Sequence, residues 1–153
     1  MNIEKTIKIC DKDVILRYCA GAETGYEILA EGKSSEVFAP TVAEKDENGK
    51  PIKYNLPKAT TDDYIKLATA AIIAAYEYRS EENHVVEPPV SPKDILFSAS
   101  PAEVTEMIKT VIELRAAWYA VPKTVPESEF NEQPEGKGGE KNVQQPATDS
   151  SES

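Results

Sequence analysis

The chain has 153 residues and a mass of 16.8 kDa, room for one domain and little more. A net charge of −10 and a pI near 4.7 argue against nucleic acid or an anionic membrane as partner, because phosphate binding relies on clustered Lys and Arg. Aliphatic and aromatic residues make up 40% of the chain, enough for a core, yet the longest purely apolar run, residues 70–75, is far too short to span a bilayer. The opening Met1-Asn2-Ile3-Glu4-Lys5 lacks the apolar stretch of a signal peptide, so the expected compartment is a reducing cytoplasm with Cys10 and Cys19 as free thiols.

Residues 3–9 alternate Ile3, Lys5, Ile7 and Ile9 against Glu4, Thr6 and Lys8, the period of a half-buried strand. Cys10-Asp11-Lys12-Asp13 reads as a turn and Val14-Ile15-Leu16-Arg17-Tyr18 as a second strand, so the chain opens with a β-hairpin. Residues 21–31 change period: Ala22, Tyr26, Leu29 and Ala30 share one helical face, and Gly32 stands where a helix usually ends. Residues 34–38 suit a short helix. The polar stretch 44–50 suits an exposed loop or hairpin tip, Asn48-Gly49 being a favoured tight-turn pair.

Residues 60–79 carry the first strong helix signal. Thr60 and Asp63 have capping-box spacing, and Asp62 and Asp63 favour the positive end of the helix dipole. Residues 68–75 are nearly all small or apolar, so this helix is expected to be central and buried on most sides. A loop over 81–90 ends in Pro88-Pro89. Ser91-Pro92-Lys93-Asp94 and Ser100-Pro101-Ala102-Glu103 then repeat one start signal, a Ser cap with Pro at the first helical position. The first opens a short helix through Phe97. The second opens a long one to about Ala120, with Val104, Met107, Ile108, Val111, Leu114, Trp118 and Val121 along one side, stopped by Pro122.

After Pro126 the composition collapses. Residues 127–153 set seven acids (Glu127, Glu129, Glu132, Glu135, Glu140, Asp149, Glu152) against Lys137 and Lys141, with Phe130 as the only large side chain. Such a segment cannot bury enough surface to offset its ordering entropy. The expected organisation is a mainly helical α+β domain over 1–122, an N-terminal β-hairpin followed by a small helical bundle, with a disordered acidic tail over 123–153.

Catalytic patterns are scarce. His84 is the one histidine, set in the polar run Glu81-Glu82-Asn83-His84, and neither cysteine has metal-ligand spacing. Asp62, Asp63, Glu81, Glu82 and Glu87 have no apolar walls or fixed separation to make them a paired-carboxylate site. Glu135-Gly136-Lys137-Gly138-Gly139-Glu140 has neither Walker spacing nor a flanking strand. The expectation is therefore a non-enzymatic protein without cofactor or metal. Trp118 and Tyr119 stand out instead, since Trp and Tyr are enriched where interfaces are energetically hot. With Met107, Val111 and Leu114 on the same helix they form the expected partner-binding surface, although Trp118 closing the domain's own core is the plainer use of that side chain.

The run Ile7-Lys8-Ile9-Cys10-Asp11-Lys12-Asp13-Val14-Ile15-Leu16-Arg17-Tyr18 resembles the opening hairpin of the tail assembly chaperones of long-tailed bacteriophages. Gly21-Ala22, Tyr26-Glu27 and Glu31-Gly32-Lys33-Ser34 are similar to that family's first helix and its Thr-Gly-Lys-Ser-like end. Tyr26 stands where Phe or a similar aromatic is usual, and Glu31 replaces Thr. Only residues 7–34 carry specific motifs; the later helices match in order and capping, and 42–57 has no counterpart.

The resemblance implies a chaperone that binds the long, helical, aggregation-prone tape measure protein before tail tube protein subunits polymerise around it. It implies residence in the host cell cytoplasm, absence from the mature virion, and scope for homo-oligomers. It further implies a longer product made by −1 frameshifting, for which Glu135-Gly136-Lys137 is a possible slippage site. The alternative is an acidic phage or bacterial adaptor or inhibitor, for example a DNA mimic, which would need ordered, DNA-like charge spacing.

Overall fold

The structure, a computed structural model, describes residues 3–120. The expectations for Val121, Pro122, the domain boundary, the acidic tail and the Glu135-Gly136-Lys137 site lie outside the described residues.

The fold is α+β. Strands β1 (Glu4–Ile9) and β2 (Lys12–Arg17) form an antiparallel hairpin, with Ile7 facing Val14 and Ile9 facing Lys12. The alternation read from the sequence holds: Ile7, Ile9, Val14 and Leu16 fall on one face and are buried. The turn is tighter than the sequence suggests. Only Cys10 and Asp11 lie outside the strands, at φ of 53° and 62°, a left-handed pair that suits the twist of a two-residue hairpin. Neither is glycine, so the turn carries strain, and the Cys10 N–H is held by the Glu103 carboxylate at 3.1 Å.

Helix α1 (Ala20–Leu29) follows. It ends where Glu31 and Gly32 both take positive φ, 57° and 94°, and the Gly32 N–H returns to the Glu27 carbonyl at 2.8 Å. A 3-10 turn, Ser35–Phe38, is capped by the Ser34 hydroxyl and seats Phe38 edge-on to Tyr26, ring centroids 4.8 Å apart. The polar stretch that followed in the sequence is a full hairpin, β3 (Thr41–Lys45) and β4 (Pro51–Asn55), with Gly49 at φ 82° in its tip.

Helix α2 (Thr61–Arg79) is the axis of the core. Leu67, Ala68, Ala70, Ala71, Ile72, Ala74 and Ala75 are all buried, as its composition anticipates. Alanine at these positions lets α1 come close: a Cβ added at Gly25 would stand 3.2 Å from the Ala70 Cβ. On another side α2 lies against β2, and the Tyr76 hydroxyl accepts the Ile15 N–H at 3.2 Å. Helices α3 (Pro92–Phe97) and α4 (Pro101–Ala120) complete the domain. Met107, Thr110, Val111 and Leu114 of α4 are buried in the shared core, and Lys5 of β1 pairs with Glu113 at 3.5 Å.

Two polar locks tie this core to its ends. At the start of α2, Asp63 is buried; it completes a capping box with Thr60 and accepts from Tyr26 Oη at 2.9 Å and Lys33 Nζ at 2.9 Å. Burial alone would raise its carboxyl pKa, but the Thr60 N–H, Lys33 and Tyr26 outweigh that and hold it well below the usual range. At the other end Arg79 donates to Glu4 at 2.7 and 2.8 Å and to the Ala75 carbonyl at 2.9 Å, while Arg17 reaches the same Glu4 at 2.8 Å. The Arg79 hydrogen bonds, with those from Arg17, hold the Glu4 carboxyl at about 2 against the opposing cost of burial.

Two outcomes follow. Gly25→Val overpacks the α1–α2 contact and lowers stability by about 1–3 kcal/mol, read by chemical denaturation. Gly25→Ala stays near neutral, its gain in helix propensity offsetting a few tenths of an ångström of crowding. Because both carboxyls are held below their ordinary values, their stabilisation is complete above the normal carboxylate range and is lost as pH falls through it towards 2. Denaturation at pH 7 and at pH 3 reads this: Glu4→Gln lowers stability at pH 7 and narrows the gap between the two pH values.

Candidate functional site

The core uses three sides of α2, and the fourth is an open stripe. Ile65, Thr69, Ile73 and Glu77 succeed one another at intervals of four, one helical face. On one flank this stripe meets α1 at Gly21, Thr24, Gly25, Ile28 and Leu29; on the other it meets the segment 85–92 and Leu96 of α3. Three depressions of about 410, 380 and 120 Å³ open along it. The two larger ones share Ile73 and Glu77, and the smallest shares Leu29 with one and Pro92 with the other. Together they make a continuous shallow groove.

The residues that border the groove explain why it stays open. Gly21 and Gly25 present no side chain towards it, and the alanine row beneath is too small to fill it. Ile28 projects from α1 with 72% of its surface exposed, on the side away from buried Ala22 and Tyr26. Val85 and Leu96 are exposed on the opposite bank. The lining is therefore mostly aliphatic. Its charges are Lys66, paired with Asp62 at 2.6 Å, and the unneutralised rim acids Glu77 and Glu87. A long, open, aliphatic trough with an acidic rim suits an amphipathic helix better than a small polar substrate, which needs an enclosed pocket with convergent polar groups.

The surface expected on α4 needs correction. Met107, Val111 and Leu114 are closed into the core and present nothing to a partner. Their stripe marks the face of α4 that packs on its own domain, because an amphipathic helix buries its apolar face wherever one is available. Trp118 is half-buried against the same core, tilted on Tyr18 with ring centroids 6.4 Å apart. Tyr119 alone is exposed. Its hydroxyl donates to Glu23 at 2.6 Å, an oxygen that also accepts from Tyr18 at 2.8 Å, and the Arg115 guanidinium lies over its ring. Sequence reasoning passed over the groove residues Ile28, Ile65 and Ile73. Ile28 left a signal: it is a large aliphatic off the helical face that Ala22, Tyr26 and Leu29 define.

His84 is exposed, in a tight turn closed by Glu81 and His84 backbone hydrogen bonds. Among the described residues, no three His, Cys, Asp or Glu side chains gather where a metal ion could sit, and no helix is long and apolar enough to cross a membrane. No family model, curated protein or solved structure matches the chain, so the reading of the groove rests on its own geometry.

Proposed function

We propose that the chain is a non-catalytic binding protein that holds an amphipathic helix in the groove over α2, and that the helix belongs to a bacteriophage tape measure protein. The single observation that carries this reading is the groove itself, an aliphatic floor at Ile65, Thr69 and Ile73 between two aliphatic banks. A helix laid along it buries its apolar positions at i, i+3 and i+4, and basic residues on its flanks meet Glu77 and Glu87. The tape measure assignment is supported by the resemblance of residues 7–34 to tail assembly chaperones. In this reading the chaperone covers helical segments in the host cytoplasm until tail tube subunits replace it, and it leaves before the virion is complete.

The test is co-expression with helical segments of the longest open reading frame beside this gene. The chain keeps those segments soluble and co-purifies with them. Ile28→Glu weakens the complex roughly tenfold or more, as expected for a charge placed in an apolar contact. Its thermal midpoint is unchanged, because the side chain lies outside the core. If no neighbouring segment binds, the tape measure assignment fails. If binding survives Ile28→Glu undiminished, the groove is not the binding surface.

A further inference from the structure

The hairpin β3–β4 is the one element that buries no side chain. Every residue of both strands is exposed, and its strands pair with each other. A two-stranded hairpin on its own is marginal in water, so its persistence calls for cover. The register gives it two unlike faces. Val42 pairs with Tyr54; Ile52 stands two residues before Tyr54 and Leu56 two after, so these four share a side. They are 42%, 57%, 59% and 87% exposed for Val42, Tyr54, Ile52 and Leu56. The other face pairs Glu44 with Lys53 and Thr41 with Asn55. Pro40 precedes the arm and Pro57 follows it, stiffening both attachments.

We infer that this arm docks into the α2 groove of a second copy of the chain, a head-to-tail contact between unlike surfaces. Length and charge support that occupant. From Ile52 to Leu56 the arm's apolar row spans roughly 13 Å at strand rise. From Ile65 to Ile73 the groove floor spans about 12 Å at helix rise. The arm is basic within an acidic chain: over residues 41–58, Lys45, Lys50, Lys53 and Lys58 outnumber Glu44, Asp46 and Glu47, although the whole chain carries −10. Its lysines therefore meet Glu77 and Glu87 on the groove rim, whereas two arms packed face to face would set like charges together. Each copy offers one arm and one groove, so the contact propagates into rings or short chains. The interface is small, in the range below about 1,200 Å² of total burial, so association is weak and concentration-dependent.

Sedimentation of the full-length chain, over a series reaching high micromolar concentration, tests this. The wild type self-associates. The arm variant Ile52→Glu/Tyr54→Glu and the groove variant Ile28→Glu, all at exposed positions, are each monomeric with unchanged thermal midpoints. Mixed, they recover one contact, the intact arm of the groove variant in the intact groove of the arm variant, and the mixture stops at twice the chain mass. A wild type that stays monomeric overturns the inference. So does a single variant that still associates, or a mixture that does not, which would point to a symmetric contact. None of these results bears on the proposed helical client, whose test adds a second protein to the groove.

Discussion

The close approach of α1 to α2 at Gly25 and Ala70 sets the terms for the rest of the structure. With 3.2 Å between an imagined Gly25 Cβ and the Ala70 Cβ, no larger residue fits at that crossing without displacement. The alanine run of α2 extends the same logic along the helix. Small side chains let α1 and the first hairpin press against one axis, and α4 then closes the core with Met107, Val111 and Leu114. An alanine-rich helix gains little from each buried residue, so its stability depends on being packed from several sides at once. The same smallness leaves the outer stripe of α2 recessed below its neighbours. Core and groove are two consequences of one packing choice.

The polar groups at the ends of α2 fit this arrangement. A helix packed so closely has few places to satisfy its terminal N–H and C=O groups, and Asp63 and Arg79 do so while linking to other elements. Asp63 joins the α2 N-terminus to Tyr26 on α1 and to Lys33 just beyond it; Arg79 joins the C-terminus to Glu4 on β1. Each lock is charge-assisted and bridges segments far apart in sequence, so it fixes register where alanine packing alone would allow sliding. The positive-φ residues Glu31 and Gly32 serve the same end, turning the chain so that Lys33 reaches Asp63.

Much of the fold was legible because its signals are local. The alternation at Ile7 and Ile9, the capping box at Thr60 and Asp63, and the Ser-Pro starts at Ser91 and Ser100 each depend on a few adjacent residues, and each forms the element it announces. The turn at Cys10 and Asp11 was read too wide because neither residue favours positive φ; the distant carboxylate of Glu103 supports it. The candidate site was much less legible. Periodicity shows that α4 has an apolar face but not that this face is spent on the domain's own core. The groove needs the positions of α1, α2 and the 85–96 segment together, and no single stretch encodes it. The second hairpin was only half visible, since Asn48-Gly49 marks the tip while nothing local says that both strands stay uncovered.

The account makes α2 the rigid floor of a preformed groove and the β3–β4 arm an unsupported appendage of the same domain. Amide hydrogen exchange on the dilute full-length chain tests that contrast most directly, because it reads local opening element by element. The account predicts that amides of residues 68–75 exchange slowest, through global unfolding alone, while those of the arm, residues 41–55, exchange orders of magnitude faster. Arm amides protected as strongly as those of α2 at high dilution would contradict it, showing that the arm folds down onto its own domain.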